Sequence, residues 1–328
     1  MATLAPPVAA IRVAVRQALS GLPGDGPVLV ACSGGADSLA LAAATAFVAP
    51  RLGRTAGLVT VDHGLQAGSA ERADAVADWA GRYGFTPVEA VRVEVTGPGG
   101  PEAAARQARY RALVEVARRH TAAALLTGHT RDDQAETVLL ALARGAGPRG
   151  LAAMPVRRDL DGVPLLRPLL DVSREQTQAA CAVLGLRPWA DPHNTDPSYA
   201  RARVRADVLP ALVRALGPAV VDSLARTARQ LAADTLVLDE LAATALADIR
   251  DAGDGLSVTA LTALAPAVRS RVLHAWAREL GAPAAALSHR HVAALDALVT
   301  AWRGQGAVHL PGGLRVVRRD GRLVVEDR

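Results

Sequence analysis

The chain has 328 residues, of which 50% are hydrophobic and 21% are charged, so it is long and apolar enough for two folded domains, and wholesale disorder is excluded. It contains 37 arginines and no lysine, which excludes a Walker A loop and Schiff-base catalysis, and its two cysteines, Cys32 and Cys181, are too few and too far apart for a disulfide framework, a cysteine-bound zinc finger or a cysteine-held iron–sulfur cluster. The net charge of +5 favours an anionic partner such as nucleic acid.

Short apolar runs alternate with helical patterns through the first part of the chain. After a helix at Val8–Leu19, we predict four strand–helix units: Pro27–Ala31 with Leu39–Ala49, Ala56–Val61 with Ser69–Tyr83, Thr86–Val95 with Glu102–His120, and Ala122–Thr127 with Asp132–Ala143. This alternation predicts the α/β class, with a doubly wound parallel sheet that helices cover on both faces.

Prolines and turn residues interrupt the alternation. Residues 155–170 hold three prolines and predict a loop with a short hairpin. The helix predicted at Ser173–Leu184 has Ser173 as its N-cap and Gln176 at the capping-box position. Residues 97–101 (GPGGP) and 191–198 (DPHNTDPS) carry only loop and turn chemistry.

The last part of the chain is mainly helical. We predict helices at Val204–Leu216, Ala219–Arg250, Pro266–Leu280 and His289–Trp302, and then a terminal β-hairpin within Val308–Val325, turning at Asp320–Gly321. The change of pattern places a domain boundary near Leu216–Pro218, with an α/β domain over 1–216 and a mainly helical domain over 217–328.

No segment predicts a membrane location. The longest uncharged apolar run, Leu39–Pro50, is shorter than the roughly 20 residues that span a bilayer. The N-terminus lacks the basic stretch that precedes the apolar core of a secretory signal. We therefore expect a cytoplasmic protein without a membrane partner.

The segment ACSGGADS (31–38) lies between a predicted buried strand and a helix. Its glycines allow the backbone N–H groups to converge, and the helix N-terminus adds positive charge, so it predicts an anion site with serine hydroxyls as further donors. An aspartate beside bound phosphate makes sense where a divalent cation bridges the two. The candidate residues are Ser33, Gly34, Gly35, Ala36, Asp37 and Ser38.

Two further polar clusters follow predicted strands. Asp62 and His63 end one strand, where ligands bind in open α/β sheets. The segment GHTRDDQAET (128–137) follows another strand and opens a helix. Its acidic residues exceed what helix capping needs, so the cluster predicts a site for Mg²⁺, an amino group or both. The candidate residues are His129, Asp132, Asp133 and Glu136.

Arginine pairs at helical spacing predict contacts with phosphate or a nucleic-acid backbone. Arg106 and Arg109 share one helix face in ARQARY (105–110), and Arg201 and Arg205 face one way after the DPHN turn. A solvated helix face fits the spacing of Arg106 and Arg109 nearly as well, and a generic basic face is the alternative for Arg201 and Arg205.

Taken in order, these motifs resemble those of the tRNA(Ile)-lysidine synthases, a family of the N-type ATP pyrophosphatase (PP-loop) superfamily. The loop SGGADS marks the superfamily, whereas DDQAET followed by RGAGPRGLAAM (144–154) is far more specific to the family. The other matching segments are VDHGL (61–65), ARQARY (105–110), RPLL (167–170), DPHNTDPSYARARVR (191–205) and VLP (208–210). The resemblance implies an adenine nucleotide alpha hydrolase-like fold over the α/β domain.

The resemblance also implies a two-step reaction. ATP and Mg²⁺ adenylate the wobble cytidine of a CAU-anticodon tRNA(Ile), and L-lysine then displaces AMP. It implies Asp37, Asp132, Asp133 and Glu136 as catalytic residues, with Asp37 and Asp133 as metal ligands. It also implies nucleotide binding by the 33–38 loop, Asp62, His63 and His129. The implied tRNA contacts are Arg106, Arg109, Arg144, Arg201 and Arg205.

Two alternatives and two departures qualify this expectation. Another adenylating enzyme on the same loop, such as a tRNA thiolase, is disfavoured because the cysteines lack a reactive context, and a non-catalytic RNA-binding module does not explain the acidic cluster. The family often has asparagine where this chain has Ala202 and a second histidine where it has Thr130. The oligomeric state is open, and a homodimer is one expectation.

Overall fold

The computed structural model describes residues 4–64, 68–95, 101–191, 196–250, 255–284 and 286–326. The chain forms two compact units, one ending at Gln230 and the other beginning at Leu231. This division falls inside a long helix, beyond the boundary near Leu216–Pro218 that the sequence predicts. The functional division into 1–216 and 217–328 stays a prediction.

The first unit contains the α/β fold. Its helices are α1 (Pro6–Leu19), α2 (Ala36–Val48), α3 (Ser69–Arg82), α4 (Pro101–Arg119), α5 (Arg131–Ala143), α6 (Pro148–Leu151), α7 (Arg174–Val183), α8 (Ala200–Arg203) and α9 (Leu209–Leu216). Its strands are β1 (Val28–Ala31), β2 (Ala56–Asp62), β3 (Val88–Arg92), β4 (Ala124–Thr127), β5 (Arg157–Leu160) and β6 (Val163–Leu166). The helix α10 (Val220–Ile249) begins in this unit.

The six strands form one sheet in the order β3-β2-β1-β4-β6-β5. All neighbouring pairs are parallel except β5 with β6, so the predicted parallel sheet is confirmed. The central strand β1 has Val28, Leu29 and Val30 fully buried, as a strand covered on both faces requires. The hairpin expected inside a loop at 155–170 is instead part of this sheet, because Leu165 and Leu166 pair with β4.

The polypeptide changes helical pitch between α8 and α9. Residues Val204–Val208 form a π-helical turn inside the segment that the sequence predicts as one α-helix. Such turns are rare and occur frequently at functional sites.

Among the residues described, the second unit contains the rest of α10, three further helices and a small antiparallel sheet. Its helices after α10 are α11 (Val258–Ala263), α12 (Pro266–Glu279) and α13 (His289–Thr300), and its strands are β7 (Leu256–Ser257), β8 (Val308–Leu310), β9 (Leu314–Arg319) and β10 (Arg322–Val325). The predicted terminal hairpin is confirmed as β9–β10, and the sequence missed α11 and the two flanking strands of the sheet β7-β10-β9-β8.

Within the described ranges, no single helix combines the length and apolar composition needed to cross a membrane. One bent pair, Ala200–Leu216 with Val220–Ile249, meets those two criteria jointly.

Candidate active site

The strand order reverses direction beside β1, which creates a crevice at the carboxyl ends of β1 and β4. The chain runs from β1 to β2 and β3 on one side and then crosses to β4 on the other. Ala31 is in register with Thr127, so the loops that follow these two strands start side by side. Open α/β sheets bind their ligands at such a switch point. The fold therefore brings the SGGADS loop and the GHTRDDQAET segment to one edge.

The loop after β1 is fixed by Ser38, which lies in the first turn of α2. Its hydroxyl donates to the carbonyl of Gly35 at 2.9 Å and accepts from the N–H of Ser33 at 3.2 Å. Gly34 has a φ of +82°, a conformation that side chains disfavour. The helix begins at Ala36, three residues earlier than predicted, so Asp37 and Ser38 belong to its N-terminal turn. The N–H groups of that turn have no partner within the helix and can bind an anion.

The loop after β4 touches this turn through Gly128. A Cβ atom at Gly128 would lie 2.9 Å from the carbonyl carbon and oxygen of Asp37 and 3.1 Å from the nitrogen of Ser38. These distances leave no space for a side chain. Gly128 therefore sets the close approach between the nucleotide loop and the acidic helix α5.

Asp37 faces the crevice and has partners from α7. One carboxylate oxygen accepts a short hydrogen bond from Thr177, and the other lies 3.8 Å from Nε of Arg174. Burial raises the pKa of Asp37 to about 6, since the opposing effects of Thr177 and Arg174 do not compensate for it and Asp133 raises it further. This carboxyl group thus lacks a full counter-charge.

Asp133 and Glu136 form the buried centre of the acidic cluster. Asp133 Oδ2 accepts from the N–H and the hydroxyl of Thr130, at 2.8 and 3.0 Å, and Thr130 serves as the N-cap of α5. The side chain of Glu136 is fully buried. Burial alone would raise the pKa of Asp133, but Arg174, the Thr130 N–H and Arg205 together lower it. Asp133 is therefore held as a carboxylate.

Arg174, at the first position of α7, connects the acidic residues. Its guanidinium lies 2.8 Å from Asp133 Oδ1 and 3.1 Å from Glu136 Oε1, in addition to its contact with Asp37. Its backbone N–H donates to Asp132 Oδ2 at 2.8 Å. Asp132 thus acts on the N-terminus of α7, whereas Asp37, Asp133 and Glu136 share one guanidinium.

Arg205 turns toward the acids rather than toward solvent. From the π-helical turn, its Nε donates to Glu136 Oε1 at 2.8 Å, and its Nη2 lies 3.0 Å from Glu136 Oε2 and 3.3 Å from Asp133 Oδ1. Arg201 follows on the same side, with Nη2 3.3 Å from the Thr137 hydroxyl and Nε 3.8 Å from Glu136 Oε2. Ala202, which lies between the two arginines in the sequence, is buried. The predicted shared face is confirmed, but the contacts are ion pairs within the site.

The residues expected to line the nucleotide site elsewhere have different environments. Asp62 accepts from the N–H of Gly64 at 2.8 Å, while Nδ1 of His63 is buried without a hydrogen-bond partner among the described residues. His129 Nδ1 lies 3.0 Å from the Thr127 hydroxyl, and burial lowers the pKa of His129 to about 3. His129 is therefore a neutral group at physiological pH.

The other three arginines predicted to contact tRNA lie in two different places. Arg106 and Arg109 lie on the N-terminal half of α4, and Arg109 lowers the pKa of both His63 and His129 after the larger effect of burial. Arg144 is exposed just beyond the C-terminus of α5. At about 1.5 Å per residue, it lies roughly 16 Å along the helix from Asp133. Arg144 is thus remote from the acidic cluster.

The charge balance of the cluster favours a bound cation. Four carboxylates (Asp37, Asp132, Asp133 and Glu136) meet three guanidinium groups, those of Arg174, Arg201 and Arg205, which leaves one negative charge when all are ionised. Within the part of the chain that the structure describes, no three His, Cys, Asp or Glu side chains gather as a ready metal site. Both Asp133 oxygens have protein donors, so Asp37 is the better-placed candidate metal ligand.

Sequence reasoning missed Arg174 and Thr177. Arg174 had one available signal: a cation at the first position of a helix opposes the helix dipole, and a basic residue there needs a tertiary partner. Thr177 carried no such signal.

Comparison with known proteins agrees with this geometry. Residues 10–212 match the family model of the PP-loop domain, and residues 256–324 match the TilS substrate binding domain. The tRNA(Ile)-lysidine synthase of Salinispora tropica is 78% identical over 100% of this chain and 98% of its own, and that of Thermobifida fusca is 57% identical over 98% of both chains. The U34-tRNA thiolase NcsA from Methanococcus maripaludis shares the fold at 20% identity, with a TM-score of 0.57 over 69% of this chain and 80% of its own. The chain belongs to the tRNA(Ile)-lysidine synthase family.

Proposed function

We propose that this chain is an ATP-dependent ligase that adenylates the wobble cytidine of CAU-anticodon tRNA(Ile) and then joins L-lysine to it, so that decoding changes from AUG to AUA. One observation carries the proposal: Arg174 joins Asp37 of the nucleotide-loop helix to Asp133 and Glu136 of α5 in a single cluster at the switch point. A nucleotide site and an amine site are thereby side by side, as a ligase of this type requires.

The nucleotide loop supports the first step. The free N–H groups in the N-terminal turn of α2 and the hydroxyl of Ser33 can donate to phosphate oxygens, whereas the hydroxyl of Ser38 already donates to Gly35 and holds the loop in shape. Asp37 fits a Mg²⁺ ligand because its carboxyl group is partly exposed and incompletely neutralised. When bound, Mg²⁺ would neutralise charge on the departing pyrophosphate. Asp133 as a second ligand stays a prediction, since its present donors would have to move.

The acidic pair supports the second step. Asp133 and Glu136 hold guanidinium groups in this structure, and the same carboxylates suit the ammonium of lysine. Arg174 also contacts Asp37 and Asp132, whereas Arg205 has the acidic pair as its only contacts among the described residues. Lysine therefore enters by replacing Arg205, and the π-helical turn is the segment that moves.

A sulfur-transferring alternative gains no support from the cysteines. Cys32 and Cys181 are both buried, and burial raises the pKa of both thiols, that of Cys181 to about 11. The reactive form of cysteine is the thiolate, which such an environment suppresses. A cytoplasmic location and a homodimer belong to the proposal as expectations.

The proposed function is tested by pyrophosphate release from ATP with defined tRNAs, with and without lysine. We expect release with a CAU-anticodon tRNA(Ile), little with a CAU-anticodon tRNA(Met), and incorporation of labelled lysine only with the former. Release that needs no tRNA, or sulfur incorporation from a thiol donor, would contradict the proposal.

The environment of Arg205 changes the expected effect of its removal. Without its guanidinium, the fully buried Glu136 keeps fewer partners, so Arg205→Ala should lower the free energy of unfolding by about 3 kcal/mol. The salt dependence of tRNA binding should stay at the wild-type slope. Chemical denaturation and salt-titrated tRNA binding measure both, with the exposed Arg203→Ala as the control. If the salt dependence of tRNA binding is instead flatter by about one unit of slope in Arg205→Ala, Arg205 contacts a phosphate of the tRNA backbone.

A further inference from the structure

The segment that follows α7 returns to the nucleotide loop at Trp189. The backbone N–H of Trp189 donates to the carbonyl of Gly34 at 2.9 Å. Two residues further on, Asp191 lies close enough to act on His63: burial lowers the pKa of His63, and the charge of Asp191 partly opposes this effect. The chain between α7 and the DPHN turn therefore borders the crevice, at a position for which the sequence predicts no role.

The hydrogen bond from Trp189 orients a donor of the nucleotide loop. The carbonyl of Gly34 and the N–H of Gly35 belong to one planar trans peptide unit, in which the two groups point in opposite directions. Because Trp189 holds the carbonyl on its own side, the N–H of Gly35 is directed to the other side. This N–H has no acceptor among the described residues, and it lies at the N-cap of α2, where an anion is favoured.

The side chain of Trp189 is held in turn by α3. Cζ of Arg72 lies 3.1 Å from the centre of the Trp189 ring, and both side chains are half-buried. A Cβ atom at Gly34 would lie 3.0 Å from Cγ2 of Val76. Arg72 and Val76 are four residues apart and share one helix face, so this face contacts both Trp189 and the nucleotide loop. The loop, Trp189 and α3 therefore contact one another in pairs.

We propose that Trp189 and Arg72 are positioning residues for the nucleotide loop. The cation–π contact fixes Trp189, and Trp189 fixes the Gly34 carbonyl, so that the N–H of Gly35 is available to a phosphate oxygen. Both residues act through Gly34 and neither needs to touch the ligand. The inference rests on the proposed function only for the ligand of the loop, which is ATP.

The test uses the full chain and compares a disruptive with a conservative substitution at each position. Trp189→Ala removes the ring and Trp189→Phe keeps one, while Arg72→Met removes the cation and Arg72→Lys keeps it. The control is Arg82→Met, because Arg82 is an exposed arginine in the last turn of the same helix. The measurements are the dissociation constants of ATP with Mg²⁺ and of a CAU-anticodon stem–loop, and the unfolding temperature.

We expect a selective loss of ATP binding. Trp189→Ala should weaken it by about 10-fold, as the loss of one hydrogen bond to a charged phosphate implies. Arg72→Met should weaken it by about 3-fold, since a cation–π contact at a half-exposed site is weaker than such a bond. Trp189→Phe and Arg72→Lys should bind ATP within about twofold of wild type, because a ring and a cation remain. Stem–loop affinity should match that of Arg82→Met in all four variants.

Three outcomes would overturn the proposal. If folded Trp189→Ala and Arg72→Met bind ATP as tightly as Arg82→Met, the pair only covers surface. If the conservative variants lose as much affinity as the disruptive ones, the contact between ring and cation does not hold the loop. If ATP and stem–loop affinities fall together, the substitutions loosen the fold in general.

The test stays decisive when one variant or the proposed function fails. If Trp189→Ala does not fold, the comparison of Arg72→Met with Arg72→Lys decides. A wild-type chain that binds ATP but releases no pyrophosphate with tRNA(Ile) would contradict the proposed function, and the comparison of ATP affinities would still apply.

Discussion

Asp37→Asn should abolish pyrophosphate release while making the protein more stable at neutral pH. The uncharged amide is a poor ligand for Mg²⁺, so release should fall by more than about 100-fold. The amide oxygen still accepts the hydrogen bond from Thr177, which limits the structural change. Loss of activity together with a gain in stability distinguishes a functional carboxylate from one that serves the fold.

The sign of the stability effect follows from the raised pKa of Asp37. Its pKa is about 6 in the folded chain against an ordinary 3.8, so the wild type loses stability as the pH rises from below 4 to above 6. Asn does not titrate, and the variant should gain up to about 3 kcal/mol at pH 8, a gain that disappears at pH 4.

Thermal unfolding at several pH values, without nucleotide or metal, measures this difference in stability. Asp171→Asn is the matched control, since Asp171 is exposed and forms an ion pair with Arg229 at the surface. Equal unfolding temperatures of Asp37→Asn and wild type at every pH would show that Asp37 is not destabilised by its surroundings. Unchanged pyrophosphate release in Asp37→Asn would show that Asp37 is not a metal ligand.

Glu136→Gln should reduce lysine transfer more than pyrophosphate release, so that adenylated tRNA accumulates. Glu136 contacts Arg174, Arg201 and Arg205 but makes no direct contact with Asp37 in the described structure. An ammonium without its counter-charge in a closed site loses about 1.5–3 kcal/mol, which corresponds to a decrease of about 10- to 100-fold in the second step.

Rapid-quench measurement of adenylated and lysine-bearing tRNA separates the two steps. Glu115→Gln, which changes an exposed glutamate of α4, is the control. If both steps fall together, Glu136 belongs to the nucleotide site, and the lysine pocket must be sought around Asp132, Asp133 and residues 144–150.

The parallel sheet could be predicted because its strands are short, apolar and separated by helices of regular period. The strands β5 and β6 were predicted as a short hairpin within a loop, but their place in the sheet could not be predicted, since it depends on the pairing of β6 with β4. Tertiary pairing of this kind has no local signal.

The site was predictable as a set of residues but not as a set of contacts. The sequence predicted that Arg201 and Arg205 lie on one face, which is confirmed. Their i, i+4 spacing does not say what this face contacts, and in the structure both side chains contact Glu136. The role of Asp132 was equally hidden, because its partner is the backbone of Arg174, more than 40 residues away. Long-range partners of this type emerge only from the fold.

The contact at Gly128 holds two parts of the site in direct main-chain contact: the N-terminal turn of α2 after the SGGADS loop, and the loop that leads into α5. The main chain after β4 lies against the main chain of Asp37 with no room for a methyl group between them. Close-packed interiors transmit such displacements instead of absorbing them. We therefore expect a shift at the start of α5 to displace the N-terminal turn of α2 as well. Binding at the acidic pair should then be coupled to binding at the SGGADS loop through this one main-chain contact.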